Sequence, residues 1–489
     1  MVFHITFGLR IYINEGLFFK SISVEQGMYT QNIPPVLSSP SFQSLIRQDI
    51  SLNSITDGRV HRRQAHLTNA MTSILLMSLD SRSRHRANPE NVMIPSLMTR
   101  SLVSHRTGDL FDVLDQNGWH VDHSYSPPLA GGKSFCKSLH IPLEAYEKTL
   151  GYMEHQRMQS IDSESIEVSW AQGSVANLNM ENEPRQHSFQ FPCAVKVKTN
   201  GLEDYISRMK RDNKENVINK LNAMLRLSLI SDGHGWLKQE FVEAKSGRVY
   251  GRGLSNLALT PNVILDHMLE GCVELDIEAC SPRLIPQICR NLLGEGGLRF
   301  DAMEEYAFRK NELRIEWAER IGVEVRHIKQ CLNAILNGCS ISSKSWWDRG
   351  LEQKSSLLDI LGSGDRVEKF KNIGLVVGIL EEMKVIKSVI RNKIKKDRSF
   401  WNHFGIDEGW IGRIKEAGLL AHVYQHEESR ILAVMVRLLG RNIVVGKHDA
   451  VVIKGGGGRL VEKLRNQIRN DLGYELEFGR RCLAGAGCA

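Results

Sequence analysis

The feature that most constrains the fold is the stretch NIVVGKHDAVVI at residues 442–453. Two short runs of β-branched and apolar residues enclose the polar break Lys447, His448 and Asp449. Such runs on either side of a short polar break predict a β-hairpin. His448 and Asp449 at its tip either belong to a solvated turn or include an active-site carboxylate that the hairpin holds rigidly. The hairpin alone leaves both interpretations open.

A second acidic segment, VELDIEACSPRL at residues 273–284, predicts a strand that runs into a helix. Apolar and acidic residues alternate along the strand, so three carboxylates share one face: Glu274, Asp276 and Glu278. Ser281 and Pro282 are typical of the first turn of a helix. Taken alone, the segment fits an edge strand with solvated acids equally well.

A third segment, EVRHIKQCLNAILNG at residues 324–338, predicts an amphipathic helix. Arg326, Lys329 and Asn333 lie along its polar face, and Gly338 is typical of a helix end. Cations and amides in one row suit contacts with phosphates and bases, although solvated faces of this kind are common.

A strongly basic segment, KVIKSVIRNKIKKDRSFW at residues 384–401, predicts a helix that ends beside two aromatic residues. Basic side chains next to aromatic rings can follow a nucleic-acid backbone and stack on a base. The candidate nucleic-acid-binding residues are Lys384, Lys387, Arg391, Lys395, Lys396 and Trp401. A plain surface helix is the alternative.

Composition adds a weak hint of a polyanionic partner, since the formal net charge is +7 and the pI is near 8.8. The nine cysteines include no CxxC pair and no zinc-type spacing, which favours a reducing, intracellular setting. Apolar stretches fall short of the ~20 residues that cross a bilayer. We therefore expect a cytoplasmic protein without membrane contact.

Several enzyme classes lack their sequence signatures. The chain has no HExxH and no G-x-S-x-G motif, so its sequence does not indicate a zincin metalloprotease or a serine hydrolase. The Gly-Lys-Ser at residues 132–134 lacks the first glycine of a P-loop, because Pro127 occupies that position.

Along the chain the acidic strand comes first, the helix with Lys329 second and the hairpin with His448 and Asp449 third. In that order the three motifs resemble those of right-hand nucleic-acid polymerases, the group of family A DNA polymerases and phage-type single-subunit RNA polymerases. The resemblance covers roughly residues 240–454 and implies that Asp276 and Asp449 bind two Mg²⁺ (or Mn²⁺) ions. It also implies that Lys329 contacts the nucleoside triphosphate and that His448 lies near the primer or product terminus.

The chain departs from the family pattern at three positions. Ser281 stands where the DNA polymerases have a glutamate that crowds a ribose 2′-hydroxyl, which leaves the product sugar open. Arg326 precedes Lys329 by three residues rather than four, and Asn337 replaces the usual tyrosine. The implied nucleotide-binding set is Arg326, Lys329, Asn333 and Ser281.

The resemblance implies an α+β right hand, with an antiparallel-sheet palm, helical fingers and a helical thumb. We expect a partly flexible N-terminal region at 1–135, thumb-like helices at 136–239, palm at 240–295 and 402–489, and fingers at 296–401. Residues 203–229 form one long helical pattern within the thumb-like region. The expected partners are template, primer or product strands and nucleoside triphosphates, with the oligomeric state undetermined.

Two alternatives to a polymerase remain open. A non-catalytic replication accessory protein would use only the basic helices. A metal-dependent nuclease would use the same aspartates on water.

Overall fold

The structure is a computed structural model, and it describes residues 136–156, 165–170, 190–293, 297–348, 351–406, 416–455 and 458–483. It also describes two strands and a few single residues between positions 37 and 126. Most of the expected N-terminal region at 1–135, including the Gly-Lys-Ser segment, lies outside these ranges.

Thirteen α-helices lie within the described ranges. They are α1 (Leu143–His155), α2 (Asn200–Arg208), α3 (Lys214–Asp232), α4 (Asn262–Met268), α5 (Cys280–Leu293), α6 (Asp301–Ile321), α7 (Val325–Leu336), α8 (Ser356–Leu361), α9 (Gly364–Lys371), α10 (Gly374–Lys396), α11 (Arg398–His403), α12 (Glu416–Leu439) and α13 (Gly458–Leu472).

The described strands form antiparallel sheets and ribbons. They are β1 (Asn91–Pro95), β2 (Val121–Ser126), β3 (Cys136–His140), β4 (Glu167–Ser169), β5 (Ala194–Lys196), β6 (Trp236–Lys238), β7 (Glu240–Glu243), β8 (Val249–Arg252), β9 (Cys272–Ile277), β10 (Trp346–Asp348), β11 (Leu351–Gln353), β12 (Ile443–Gly446), β13 (Ala450–Lys454) and β14 (Phe478–Cys482).

The central sheet has four strands in the order β12-β13-β9-β14. The predicted hairpin is confirmed as β12 and β13, and β13 pairs with β9 so that Ala450 lies opposite Asp276. On the other side of β9, Gly479 of β14 lies opposite the same aspartate. The acidic strand is therefore an interior strand, and the edge-strand interpretation is wrong.

Apolar side chains cover both faces of the central sheet. One face, which includes Leu275 and Val451, packs into a large core with the helices from α5 to α13. The other face, which includes Cys272 and Val452, packs into a smaller core with α2, α3, α4 and β5. Packing on both sides explains the near-continuous apolar runs in β12 and β13. It also makes the sheet a stiff support.

Helices α6 to α10 form a layer beside the sheet. The predicted amphipathic helix at 324–338 is confirmed as α7, which ends at Leu336. Asn337 is its C-cap, and Gly338 follows with a φ of +76°. Helix α7 packs against α6 and α8, and more lightly against α5, the helix that follows β9. This connection places the polar helix one layer away from the acidic strand.

Two expectations from the sequence differ from the structure. The helical pattern at 203–229 is two helices, because the Asn213 side chain accepts a hydrogen bond from the Asn216 amide (2.8 Å) and starts α3 anew. The region 136–239, expected to be helical, also contains four strands, β3 to β6. These strands are three to five residues long, too short to show a period in the sequence.

The basic segment is likewise divided. Helix α10 ends at Lys396, and Asp397 caps the separate helix α11 through the Ser399 amide (2.9 Å). Across the described ranges, none of the helices combines the length and the apolar character that a bilayer crossing requires.

Candidate active site

The tip of the central hairpin is a tight polar turn. The Lys447 amide donates to the Ala450 carbonyl (2.9 Å), which closes the turn around His448 and Asp449. The imidazole Nδ1 of His448 lies 2.8 Å from Asp449 Oδ1. Gly446 lets Phe191 pack directly beneath the turn, because a Cβ at Gly446 would lie 2.0 Å from the phenyl Cε1.

Asp276 lies at the end of β9, directly beside this turn. The Ile277 amide donates to the Asp449 carbonyl (3.1 Å), so the two aspartates lie on adjacent strands at the same end of the sheet. The chain then turns sharply through Ala279, a non-glycine residue with φ of +51°, and α5 begins at Cys280. A left-handed alanine is a strained backbone conformation that is often found at functional sites.

The three carboxylates of the acidic strand have different partners. Glu274 is buried and binds both Lys447 and Arg481, the latter through its Nε at 2.8 Å. Glu278 binds Lys310 of α6. Asp276 makes no salt bridge or side-chain hydrogen bond among the described residues, and Lys310, which pairs with Glu278, acts on it only through its charge.

The pKa values of the two aspartates move in opposite directions. Burial, followed by the negative charges of Asp449, Glu274 and Glu278, raises the pKa of Asp276 to about 7. Burial also acts to raise the pKa of Asp449, but the charge and hydrogen bond of His448, together with Arg248, outweigh it and hold that pKa well below its usual value. Two neighbouring acids with separated pKa values are typical of a functional site.

This donor set fits a hard divalent cation. Mg²⁺ and Mn²⁺ prefer carboxylate oxygens, and the acids around Asp276 leave its carboxylate in an excess of negative charge that a cation would neutralise. His448 contacts Asp449 at Oδ1, and a backbone amide also donates to the Asp449 carboxylate. His448, Asp449 and Glu428 of α12 also offer ligand atoms within 4.8 Å of one another.

A buried charged cluster lies behind Asp449. Arg248, from the turn between β7 and β8, lies with its Nε 3.1 Å from Glu428 Oε2, and the Tyr424 hydroxyl donates to Glu428 Oε1 (2.9 Å). Cys280 Sγ lies 3.9 Å from the same Oε1. Glu428 is completely buried and the Arg248 side chain is 11% exposed, so these charges interact across little water.

Sequence reasoning missed Lys310, Arg248 and Glu428. Lys310 and Arg248 are isolated charges without a motif, so the sequence contains no signal for them. Glu428 did carry a signal, because with Tyr424 and Ile431 it lies at the spacing of one apolar helical stripe. An acid on such a stripe must be paired or functional once the stripe is buried.

The expected nucleotide-binding residues lie on two elements. Lys329 and Asn333 are exposed on α7, and Lys329 has no ion pair among the described residues. Arg326 is also exposed but binds Glu324 (2.6 Å). Ser281 is half-buried in the first turn of α5, close to the acidic strand end. Their roles remain predictions.

The basic helix offers fewer available cations than its sequence indicates. Lys384 binds Glu381 (2.6 Å), and Lys387 donates to the Gly338 carbonyl at the end of α7 (3.5 Å). Trp401 is half-buried and donates its indole N–H to the Ile394 carbonyl (2.6 Å). Arg391 and Lys396 are exposed, and the Lys395 side chain lies outside the described part. Binding of nucleic acid by this set stays a prediction.

Comparison with known proteins gives a weak structural similarity. No family model and no curated protein matches the chain. Among solved structures, the chain is similar to the POL domain of Pol1 from M. smegmatis in complex with DNA primer-template and dNTP, with 15% identity and a TM-score of 0.32. The match covers 57% of this chain and 54% of that one, so the chain spans about half of its length. A similarity of this size carries no argument about the reaction, and the functional assignment depends on the geometry of Asp276 and Asp449.

Proposed function

We propose that this chain is a template-directed nucleic-acid polymerase, a nucleotidyltransferase that uses two divalent cations. The observation that supports it is the meeting of Asp276 and Asp449 at one end of a rigid sheet, where Asp276 forms no ion pair with any described residue. Two metal ions on such a pair bring together the attacking and leaving oxygens of a phosphoryl transfer and stabilise the charge that develops on them.

The protein groups have distinct tasks in this proposal. Asp276 and Asp449 hold the cations, and His448 fixes the orientation of Asp449 through the contact at Oδ1. Glu274 and Glu278 are already paired and are not ligands; they keep the surroundings of Asp276 negative. The exposed ammonium of Lys329 binds the triphosphate, and Arg326 and Asn333 lie on the same helix.

The proposed architecture is a right hand. The central sheet is the palm, helices α6 to α10 are the fingers, and the elements before residue 240 are the thumb and an N-terminal region. Ser281, next to the acidic strand end, is small enough to accept a ribose 2′-hydroxyl, so the product is DNA or RNA. The basic face of α10 contacts template or product strands.

A primer-extension assay tests the proposal. Purified full-length protein is given Mg²⁺, nucleoside triphosphates and a labelled primer on a DNA or RNA template. We expect extension by the wild type and a loss of at least about a thousandfold for Asp449→Asn, because one metal-binding charge is removed while the shape is kept. Asp471→Asn is the matched control, since Asp471 pairs with Arg437 at the surface and this ion pair includes none of the proposed ligands.

The same assay separates the alternatives. Shortening of the labelled strand without added nucleotide, lost in Asp449→Asn, would identify a nuclease. Strong binding of the template by the wild type without extension or shortening would identify an accessory protein. Either result would overturn the polymerase proposal.

A further inference from the structure

We infer that Glu428 is a positioning residue that holds the Arg248 guanidinium away from Asp449 and so keeps the Asp449 carboxylate available to a cation. The inference rests on the proposed function of Asp449 as a metal ligand. It assigns a role to an ion pair, Glu428 with Arg248, that lies outside the three sequence motifs.

Both oxygens of Glu428 have polar neighbours, and among the described residues only Oε1 accepts a hydrogen bond. Oε2 lies 3.1 Å from Arg248 Nε, and Oε1 accepts a hydrogen bond from the Tyr424 hydroxyl (2.9 Å). Glu428 is near enough to His448 and Asp449 to be a third ligand, with the ligand atoms within 4.8 Å. Burial raises the pKa of Glu428, and the charges of Arg248 and His448 oppose that rise. The ion pair with Arg248 assigns Glu428 the role of counter-ion.

Glu428 and Asp449 compete for the positive charge of Arg248. The guanidinium is buried, and its charge acts on Asp449 as well as on Glu428. A buried cation without a counter-ion is costly, so Arg248 needs a carboxylate. If Glu428 were neutral, Asp449 would be the nearby acid left to pair with Arg248, and that pair would compete directly with metal binding.

The hairpin that carries Arg248 is fixed in place by other contacts. The Ser246 hydroxyl donates to Gln425 Oε1 of α12 (3.0 Å), and the ring of Phe241 in β7 packs on Phe191 (centroids 5.1 Å apart). Phe191 in turn packs under Gly446 beside the active-site turn. The backbone of Arg248 is therefore anchored on the same side of the sheet end as Asp449, so only the side-chain partner can change.

The test is a charge-balance cycle in the full-length protein. Mn²⁺ affinity is measured by titration calorimetry for the wild type, Glu428→Gln, Arg248→Met and the double variant. We expect Glu428→Gln to weaken Mn²⁺ binding by about tenfold or more, because it frees one nearby positive charge. The double variant, which removes both charges, should bind within about threefold of the wild type, since a buried ion pair can be replaced by neutral groups of similar size.

Two outcomes would overturn the inference. One is wild-type Mn²⁺ affinity in folded Glu428→Gln. The other is a double variant that folds but binds Mn²⁺ as weakly as a variant lacking a ligand, which would make Glu428 a metal ligand. The Mn²⁺ affinity of the double variant is sufficient to discriminate between a counter-ion and a ligand. The inference can therefore be tested even if Glu428→Gln alone fails to fold.

The control variant is Asp471→Asn. Asp471 pairs with Arg437 at the surface, in an ion pair that includes none of the proposed ligands. Asp471→Asn should therefore change Mn²⁺ affinity by less than about twofold. Glu427, the neighbouring buried acid, is unsuitable as a control because Glu427, His403 and His426 also offer ligand atoms within 4.8 Å of one another. A wild type that neither binds Mn²⁺ nor extends a primer would defeat the proposed function itself, whereas the variants test only the role of Glu428.

Discussion

Replacing Asp276 by asparagine should stabilise the metal-free protein while abolishing its activity. In the folded chain the pKa of Asp276 is raised to about 7 from a reference of 3.8, chiefly by burial and then by the charges of Asp449, Glu274 and Glu278. Above pH 7 the carboxylate is therefore ionised at a cost that the unfolded chain does not bear. Asparagine has nearly the same shape and carries no such cost.

The magnitude follows from the size of the shift. Roughly three pKa units correspond to about 4 kcal/mol at 1.36 kcal/mol per unit, and relaxation of the site makes ~2–4 kcal/mol a fair expectation. Since the folded pKa lies above the unfolded one, the penalty is absent below pH 4, grows between pH 4 and 7, and is constant above pH 7. The stability gain of Asp276→Asn should follow the same course.

The assay is urea unfolding in EDTA at pH 4, 6 and 8, repeated with Mg²⁺. Mg²⁺ should raise the free energy of unfolding of the wild type and leave that of Asp276→Asn unchanged. Glu274→Gln is a control that should change stability in the opposite direction. Its free energy of unfolding at pH 8 should be about 3 kcal/mol lower than that of the wild type, because Lys447 and Arg481 lose their buried counter-ion. Equal stability of Asp276→Asn and the wild type at pH 8, or a gain that does not change with pH, would refute the reasoning.

Three further predictions concern other parts of the molecule. Gly446→Ala should cost about 1–3 kcal/mol in urea unfolding, since its Cβ would meet the Phe191 ring, and Phe191→Leu should recover part of that loss. Glu427→Gln should lower the free energy of unfolding by about 3 kcal/mol at pH 7. Burial acts to raise the pKa of Glu427, but His403 and Arg430 outweigh it and lower that pKa to about 2. The difference in free energy of unfolding between the wild type and Glu427→Gln should therefore disappear as the pH falls from about 4.5 towards 2. Lys329→Ala should raise KM for the nucleoside triphosphate about tenfold in steady-state extension with little change in kcat, and an unchanged KM would remove Lys329 from the site.

Local patterns in the sequence were sufficient for the hairpin, the acidic strand and helix α7. Each of these elements has a strong period and a clear end: β-branched runs around Lys447 to Asp449, alternation around Asp276, and Gly338 after the amphipathic stripe. The break at Asn213 and the short strands β4 to β6 were not predictable in the same way. A side-chain cap and strands of three residues leave almost no periodic signal.

The sequence by itself predicted Asp276 and Asp449 as metal ligands and gave their order along the chain. Only the tertiary structure shows how Asp276 differs from Glu274 and Glu278, because Lys447, Arg481 and Lys310, the cations that pair with the two glutamates, come from distant segments. The same holds for Arg248 and Glu428, which are 180 positions apart and meet behind Asp449. Charge pairing depends on distance in space, and a carboxylate left without a cation becomes visible only when its neighbours have been placed.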